Sequence, residues 1–279
     1  MGVWFASYFR ERGYEVSISD IRLDEARAIA ESIGVDMVEE NHDVVRDADL
    51  VLLSIPIRGI PEVIGEVAPY LKDGAILMDI ASLKSDSVDA LRKIKQEIRP
   101  ISVHPLFGPS AEGIEGATIV VIPVADPGSE AEVANRVFRG AKIVVCQADG
   151  HDRAMATVLG LSYFLNLSFV GALEGEDLSL LKELSGTTFT VQYALAQSVV
   201  NEDPWLIRSL LSENEFFKDK LDGFLSHAKR LREMILEEPN SFTARIEGMK
   251  EFMREDPDYL KADELRLRVF EAIDAFRAS

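Results

Sequence analysis

Two rhythms of hydrophobic spacing divide the 279-residue chain. Up to about residue 146, short β-branched runs alternate with stretches of helical period, the pattern of a parallel sheet with crossover helices. The runs are Glu15 to Ser19, Leu50 to Ile55, Ala75 to Ile80, Ile101 to His104, Thr118 to Val124 and Lys142 to Cys146. Between them lie amphipathic stretches such as Leu23 to Ile33, Ile60 to Leu71 and Ser85 to Ile98. After Asp149 strand-like runs all but vanish, and Leu, Ala, Glu and Met recur at helical spacing to the end. Gly150-His151-Asp152 reads as a helix start, with Asp152 near the positive end of the dipole, and Pro204, Pro239 and Pro257 each open a further helix. The pattern predicts a doubly wound α/β domain over residues 1–148 and an all-α domain over 149–279.

One helix of the second half, roughly Arg153 to Leu173, is apolar on every side. Such a helix must be covered, and in a domain this small the cover comes from another subunit, so a homodimer is expected. No apolar stretch is read as approaching a membrane span, which predicts a soluble protein. The formal charge of -18 repels polyanions and the basic residues form no stripe, so nucleic acid is excluded as a partner. Positive charge for an anionic small molecule must therefore be local, from single Arg or Lys residues and helix N-termini. Cys146 is the only cysteine, which fits a reducing cytoplasm, and its apolar surroundings predict a buried structural thiol. His42, His104, His151 and His227 lack ligand-like spacing, so no metal is expected.

The N-terminus carries part of a nucleotide fingerprint. Gly2-Val3-Trp4-Phe5-Ala6 resembles the opening of the first helix of a dinucleotide-binding unit, and Glu15 to Asp20 its second strand. Asp20 ends that strand, where an acid accepts hydrogen bonds from adenosine ribose hydroxyls, so NAD is expected; Arg22, two residues on, keeps NADP open. No G-x-G-x-x-G occurs: Gly2 takes the place of the third glycine, and the strand and two glycines before it are absent. This predicts a Rossmann-type sheet without its first strand, and raises the question of an N-terminus upstream of Met1. Ser54-Ile55-Pro56 ends a buried strand, and in such folds the loop beyond that strand covers the cofactor.

Two further strand ends carry candidate chemistry: Asp79-Ile80-Ala81-Ser82-Leu83-Lys84-Ser85, and Ser102-Val103-His104-Pro105-Leu106-Phe107-Gly108-Pro109-Ser110. A histidine fixed at a strand terminus by Pro105 offers a ring nitrogen that titrates near neutral pH. Ser82 lies one strand away, where it could orient the histidine or act as the N-cap of the next helix.

Together the two segments resemble the paired signature of prephenate dehydrogenases, D-x-x-S-x-K followed by H-P-x-F-G-P. The similarity extends to His151-Asp152-Arg153-Ala154-Met155-Ala156 and Asn201-Glu202-Asp203-Pro204 and covers about residues 2–235. The resemblance implies NAD-dependent oxidative decarboxylation of prephenate to 4-hydroxyphenylpyruvate in tyrosine biosynthesis. In it, His104 takes the ring hydroxyl proton and Ser82 bridges histidine and hydroxyl. Gly2, Val3, Asp20, Arg22, Ser54, Ile55, Pro56 and Ala81 are the implied cofactor contacts, and Ser82, His104, Ser110, Tyr163 and Arg208 the substrate contacts. The substrate end departs from the family: Tyr163 stands where many relatives have a histidine, and Ser198 where they have an arginine, leaving Arg208, Arg153 or Lys84 to meet a carboxylate. Arogenate is the alternative substrate. A 3-hydroxyacid or imine-type dehydrogenase is a second enzyme reading, and a non-catalytic dimer, or a part of a larger aromatic-pathway polypeptide, a third.

Overall fold

The computed structural model describes residues 1–278 and divides into two compact units, Met1–Met155 and Ala156–Ser279. The first unit runs α1 (Gly2–Glu11), β1 (Ser17–Ile18), α2 (Leu23–Ile33), β2 (Asp36–Met37), α3 (Asn41–Val45), β3 (Leu50–Leu53), α4 (Ile60–Val67), β4 (Ile76–Asp79), α5 (Ser85–Arg92), β5 (Arg99–Pro105), β6 (Thr118–Ile122), α6 (Pro127–Val137), β7 (Lys142–Val145) and α7 (Ala148–Met155). The contact boundary falls later than residue 148 because α7 buries His151 and Asp152 within this unit. The helix expected to start at Gly150 starts at Ala148, and the one expected to reach Ile98 stops at Arg92.

Five strands form one sheet in the order β3-β4-β5-β6-β7, while β1 and β2 pair separately. In doubly wound order the strand that feeds the first helix lies between β1 and β3, and among the described residues no strand does so. The sheet is not wholly parallel: β6 runs antiparallel to β5, and β7 follows β6. Alternation along each strand sorts the core onto two faces. Met78 and Ile80 pack with Ile101, Val103, Val121 and the α1 aromatics Phe5, Tyr8 and Phe9, while Leu77 packs with Ile60, Ile64 and Leu91 on the other side. Each such burial contributes about 1.5–3 kcal/mol. Cys146 is half-buried rather than buried, because β7 ends at Val145 and the thiol lies only at the margin of the cluster of Val88, Val120 and Ile122.

The second unit opens with a π-helical turn, Ala156–Leu161, and continues as α8 (Ser162–Ala172), α9 (Leu178–Glu183), α10 (Thr187–Val200), α11 (Pro204–Ser212), α12 (Phe217–Glu237), α13 (Pro239–Met253) and α14 (Ala262–Ala278). Pro204 and Pro239 stand at the first turn of their helices, whereas Pro257 lies in a turn before α14. Buried Asn166 of α8 accepts a hydrogen bond from Gln192 of α10 at 2.9 Å. Gly160 allows Phe217 to approach so closely that a Cβ there would lie 2.5 Å from the ring. The helical run Ala148–Ala172 is, by length and composition, apolar enough to cross a membrane, against the sequence expectation. Its charged residues cluster at the N-terminal end, leaving 154–172 uncharged.

Candidate active site

Three strands end at one edge of the sheet. Asp79 closes β4, His104 and Pro105 close β5, and Ser54 follows β3 directly. This is the carboxyl-end crevice in which doubly wound sheets bind ligands. His104 is 5% exposed, and its Nδ1 lies 2.9 Å from Nε2 of His151 on α7. On the far side of that ring, Nδ1 of His151 is 2.8 Å from Oδ1 of Asp152.

Asp152 also completes the start of α5. A helix start leaves backbone N–H groups without intrahelical partners, and α5 has no side-chain cap of its own. The N–H groups of Lys84 and Ser85 donate to the Asp152 carboxylate at 3.0 and 2.9 Å, and the Ser85 hydroxyl donates at 2.7 Å. Ser82 is not the cap: it is half-buried and makes no side-chain hydrogen bond among the described residues. The hydrogen-bond partner of the His104 ring at Nδ1 is His151, and among the described residues no bond joins the ring to Ser82.

Beneath these groups Lys84 is fully buried. Its ammonium donates to Asp79 Oδ1 at 2.7 Å and to the Val103 carbonyl at 2.6 Å, and Asp79 Oδ1 accepts the Ala81 N–H at 3.0 Å. The ends of β4 and β5 are thereby tied together next to His104. Lys84, committed to this pair, is withdrawn from any role toward a substrate carboxylate. Burial lowers the Lys84 pKa, opposed by the Asp79 carboxylate. Burial also pushes His104 well below the ordinary imidazole value; Lys84 and His151 add to the shift and Asp152 opposes it. His104 is therefore a neutral ring at pH 7. For Asp152, burial favours the neutral acid, but hydrogen bonds from His151, Ser85 and Lys84 outweigh it and hold the carboxyl below its usual range.

The nucleotide-binding domain of prephenate dehydrogenase matches residues 5–121, and the prephenate dehydrogenase dimerization domain matches residues 147–255. The chain belongs to the prephenate dehydrogenase family. A probable arogenate/prephenate dehydrogenase of Methanocaldococcus jannaschii is 26% identical over 243 residues, covering 84% of this chain and 54% of that protein. A cyclohexadienyl dehydrogenase of Zymomonas mobilis is 26% identical over 250 residues, covering 84% of this chain and 82% of that one. The chain spans about half the length of several curated relatives it matches. The crystal structure of prephenate dehydrogenase from Aquifex aeolicus, in complex with hydroxyphenyl propionate and NAD+, shares the fold with a TM-score of 0.72 at 23% identity, over 91% of this chain and 94% of that one.

Against the prephenate dehydrogenase pattern, the remaining expected residues fall into two groups. In the first unit Gly2 faces Ser54, whose Oγ would lie 3.5 Å from an added Cβ, and α1 begins without a side-chain cap. An uncapped helix start beside a strand end suits a pyrophosphate, so the residues present fit a dinucleotide. Val3, Pro56 and Ser110 are exposed, Ile55 half-buried and Ala81 buried. Asp20 is exposed beyond the end of β1, where Arg22 donates to it from its backbone N–H at 2.9 Å; the Arg22 guanidinium also pairs with Glu25 at 2.8 Å. In the second unit Tyr163 is half-buried on α8, its hydroxyl pKa raised by burial and by Glu202. Arg208 is exposed on α11 with its guanidinium 5.5 Å from the Trp205 ring centre. The sequence reading placed His151 and Asp152 at a helix start and in the family resemblance but gave neither a site role. Their signal was two adjacent polar residues heading an apolar helix, inside a stretch already matched to the family.

Proposed function

We propose that this member of the family oxidatively decarboxylates prephenate to 4-hydroxyphenylpyruvate, with His104 as the base that takes the ring hydroxyl proton. The observation that carries the reading is the buried, neutral His104 at the carboxyl end of β5, since a base must be unprotonated to accept a proton during hydride loss. The nicotinamide supplies the hydride acceptor when bound. The chain's own residues do the rest: the α1 N-terminus and Gly2 receive the pyrophosphate, Asp20 the adenosine ribose, and the Asp79–Lys84 pair keeps the β4 and β5 ends rigid around His104. Asp20 would repel a 2′-phosphate, and Arg22, which could attract one, is already paired with Asp20 and Glu25, which supports NAD over NADP.

We also propose a homodimer, since only 22% of the apolar window in the run Ala148–Ala172 is buried within the chain and the matched domain is a dimerization domain. The test of function is a spectrophotometric assay of cofactor reduction with prephenate and arogenate, each with NAD and NADP. Turnover of prephenate with NAD supports the reading; turnover of arogenate alone reassigns the substrate, and no turnover of either overturns it.

A further inference from the structure

Three hydrogen-bonded groups lie in line from the base inward: His104 Nδ1, His151 Nε2 with Nδ1, and the Asp152 carboxylate, at 2.9 and 2.8 Å. Each ring nitrogen in such a chain has its role fixed by its neighbour. Asp152 is a carboxylate that receives N–H groups from Lys84 and Ser85 and the Ser85 hydroxyl, so it can only accept from His151. With one ring proton, His151 carries it on Nδ1, facing the acceptor-only carboxylate, which leaves Nε2 as an acceptor. His104 must donate to that acceptor from Nδ1, and its own Nε2 is left with a bare lone pair. An isolated imidazole slightly favours the opposite tautomer, in which Nε2 is protonated and useless as a base.

We propose that His151, anchored by Asp152, is a positioning residue that fixes the tautomer of His104 and leaves Nε2 of His104 as the proton-accepting nitrogen. The inference rests on the proposed reaction for its consequence, but the tautomer itself does not depend on it. During turnover Nε2 takes the hydroxyl proton while Nδ1–H keeps its bond to His151, so the imidazolium forms without any ring turning over. The groups facing His104 are His151 and Asp152 on α7, Lys84 at the start of α5 and, across the sheet, apolar Val120 on β6. Asp152 is the one anion among those that act on His104, and it reaches that ring through His151.

The isosteric change Asp152→Asn breaks the logic without removing volume. The side-chain oxygen stays toward the two backbone N–H groups of α5, so the new NH2 faces His151 and forces it to accept on Nδ1. His151 then donates from Nε2, His104 accepts on Nδ1, and the proton of His104 moves to Nε2. His151→Gln offers a carbonyl oxygen to the Nδ1–H of His104 and preserves the original tautomer.

The experiment is long-range proton–nitrogen NMR on the full chain labelled at its four histidines, with kcat and KM measured on the same samples. His104 is expected to be neutral at pH 7 and protonated on Nδ1. In D152N the proton should move to Nε2 and kcat should fall by about a thousandfold or more, the scale seen when a wrong tautomer is imposed on a catalytic histidine, with KM nearly unchanged. H151Q should keep the wild-type tautomer and most of the rate. A wild-type His104 protonated on Nε2 overturns the proposal, and so does a D152N chain that retains both tautomer and rate. Expected tautomers in a chain that turns over neither prephenate nor arogenate would support the histidine assignment and overturn the reaction.

Discussion

The two units differ in the charged groups they bury. In the first, charged and polar groups are taken fully out of water and held by partners from the same unit: Lys84 against Asp79 and Val103, His104 against His151, Asp152 against the start of α5. In the second, large apolar side chains remain at the surface, including Leu165 at 41%, Leu195 at 53% and Leu265 at 64% exposure. Precision is needed in the first unit. A proton acceptor must be oriented to within fractions of an ångström, which takes buried hydrogen bonds from several elements. A surface that associates needs mainly apolar area, with geometry set by its partner.

The largest effect that would sharpen this contrast comes from breaking the buried pair. Asp79→Ala leaves the Lys84 ammonium buried without its anion and should destabilise the first unit by about 3–5 kcal/mol in urea denaturation. Replacing both residues with apolar ones of similar volume should cost much less. A loss under about 1 kcal/mol for the single change would mean that water reaches Lys84.

In the second unit the corresponding weak point is steric. Gly160→Ala puts a methyl into the Phe217 ring and should cost about 1–3 kcal/mol, unless the ring can swing aside. Thermal unfolding checks this, and unchanged stability would show a looser packing than the structure has.

A charge on the exposed apolar face tests association. Leu165→Glu should weaken the proposed dimer by about 2 kcal/mol, readable by light scattering across a dilution series, and leave His104 chemistry in the first unit intact. A monomeric wild-type chain at micromolar concentration would contradict the dimer outright.

Much of this was legible in the chain itself. Leu50 to Ile55, Ala75 to Ile80 and Thr118 to Val124 read as strands because β-branched runs bounded by turns have few other solutions, and the helical second half followed from spacing alone. The direction of β6 was not legible, since alternation looks the same in parallel and antiparallel strands. His104 and Lys84 stood out beside strand ends, but sequence offered Ser82 as the orienting partner because it lies one strand away at the same sheet edge. The residue that hydrogen-bonds the ring in the structure is 47 residues away, on a helix whose first polar residues read as an ordinary helix start. Local patterns report local hydrogen bonds, and His151 and Asp152 act at long range. Pro257 misled for a related reason: a proline can open a helix or close a turn, and its neighbours Asp256 and Asp258 serve either outcome.

Whether a neutral His104 is the base is decided by the pH dependence of kcat for wild type and His104→Asn, with prephenate as substrate. Because burial lowers the pKa of His104, the ring stays unprotonated at neutral pH and the wild-type rate should fall only when pH drops below the ordinary imidazole value of about 6.5. The variant keeps the strand end and its Pro105 but loses the proton acceptor, so kcat should drop about 100-fold or more and the acid limb should disappear, with KM changed far less. A variant with near-normal kcat and the same acid limb would contradict the account.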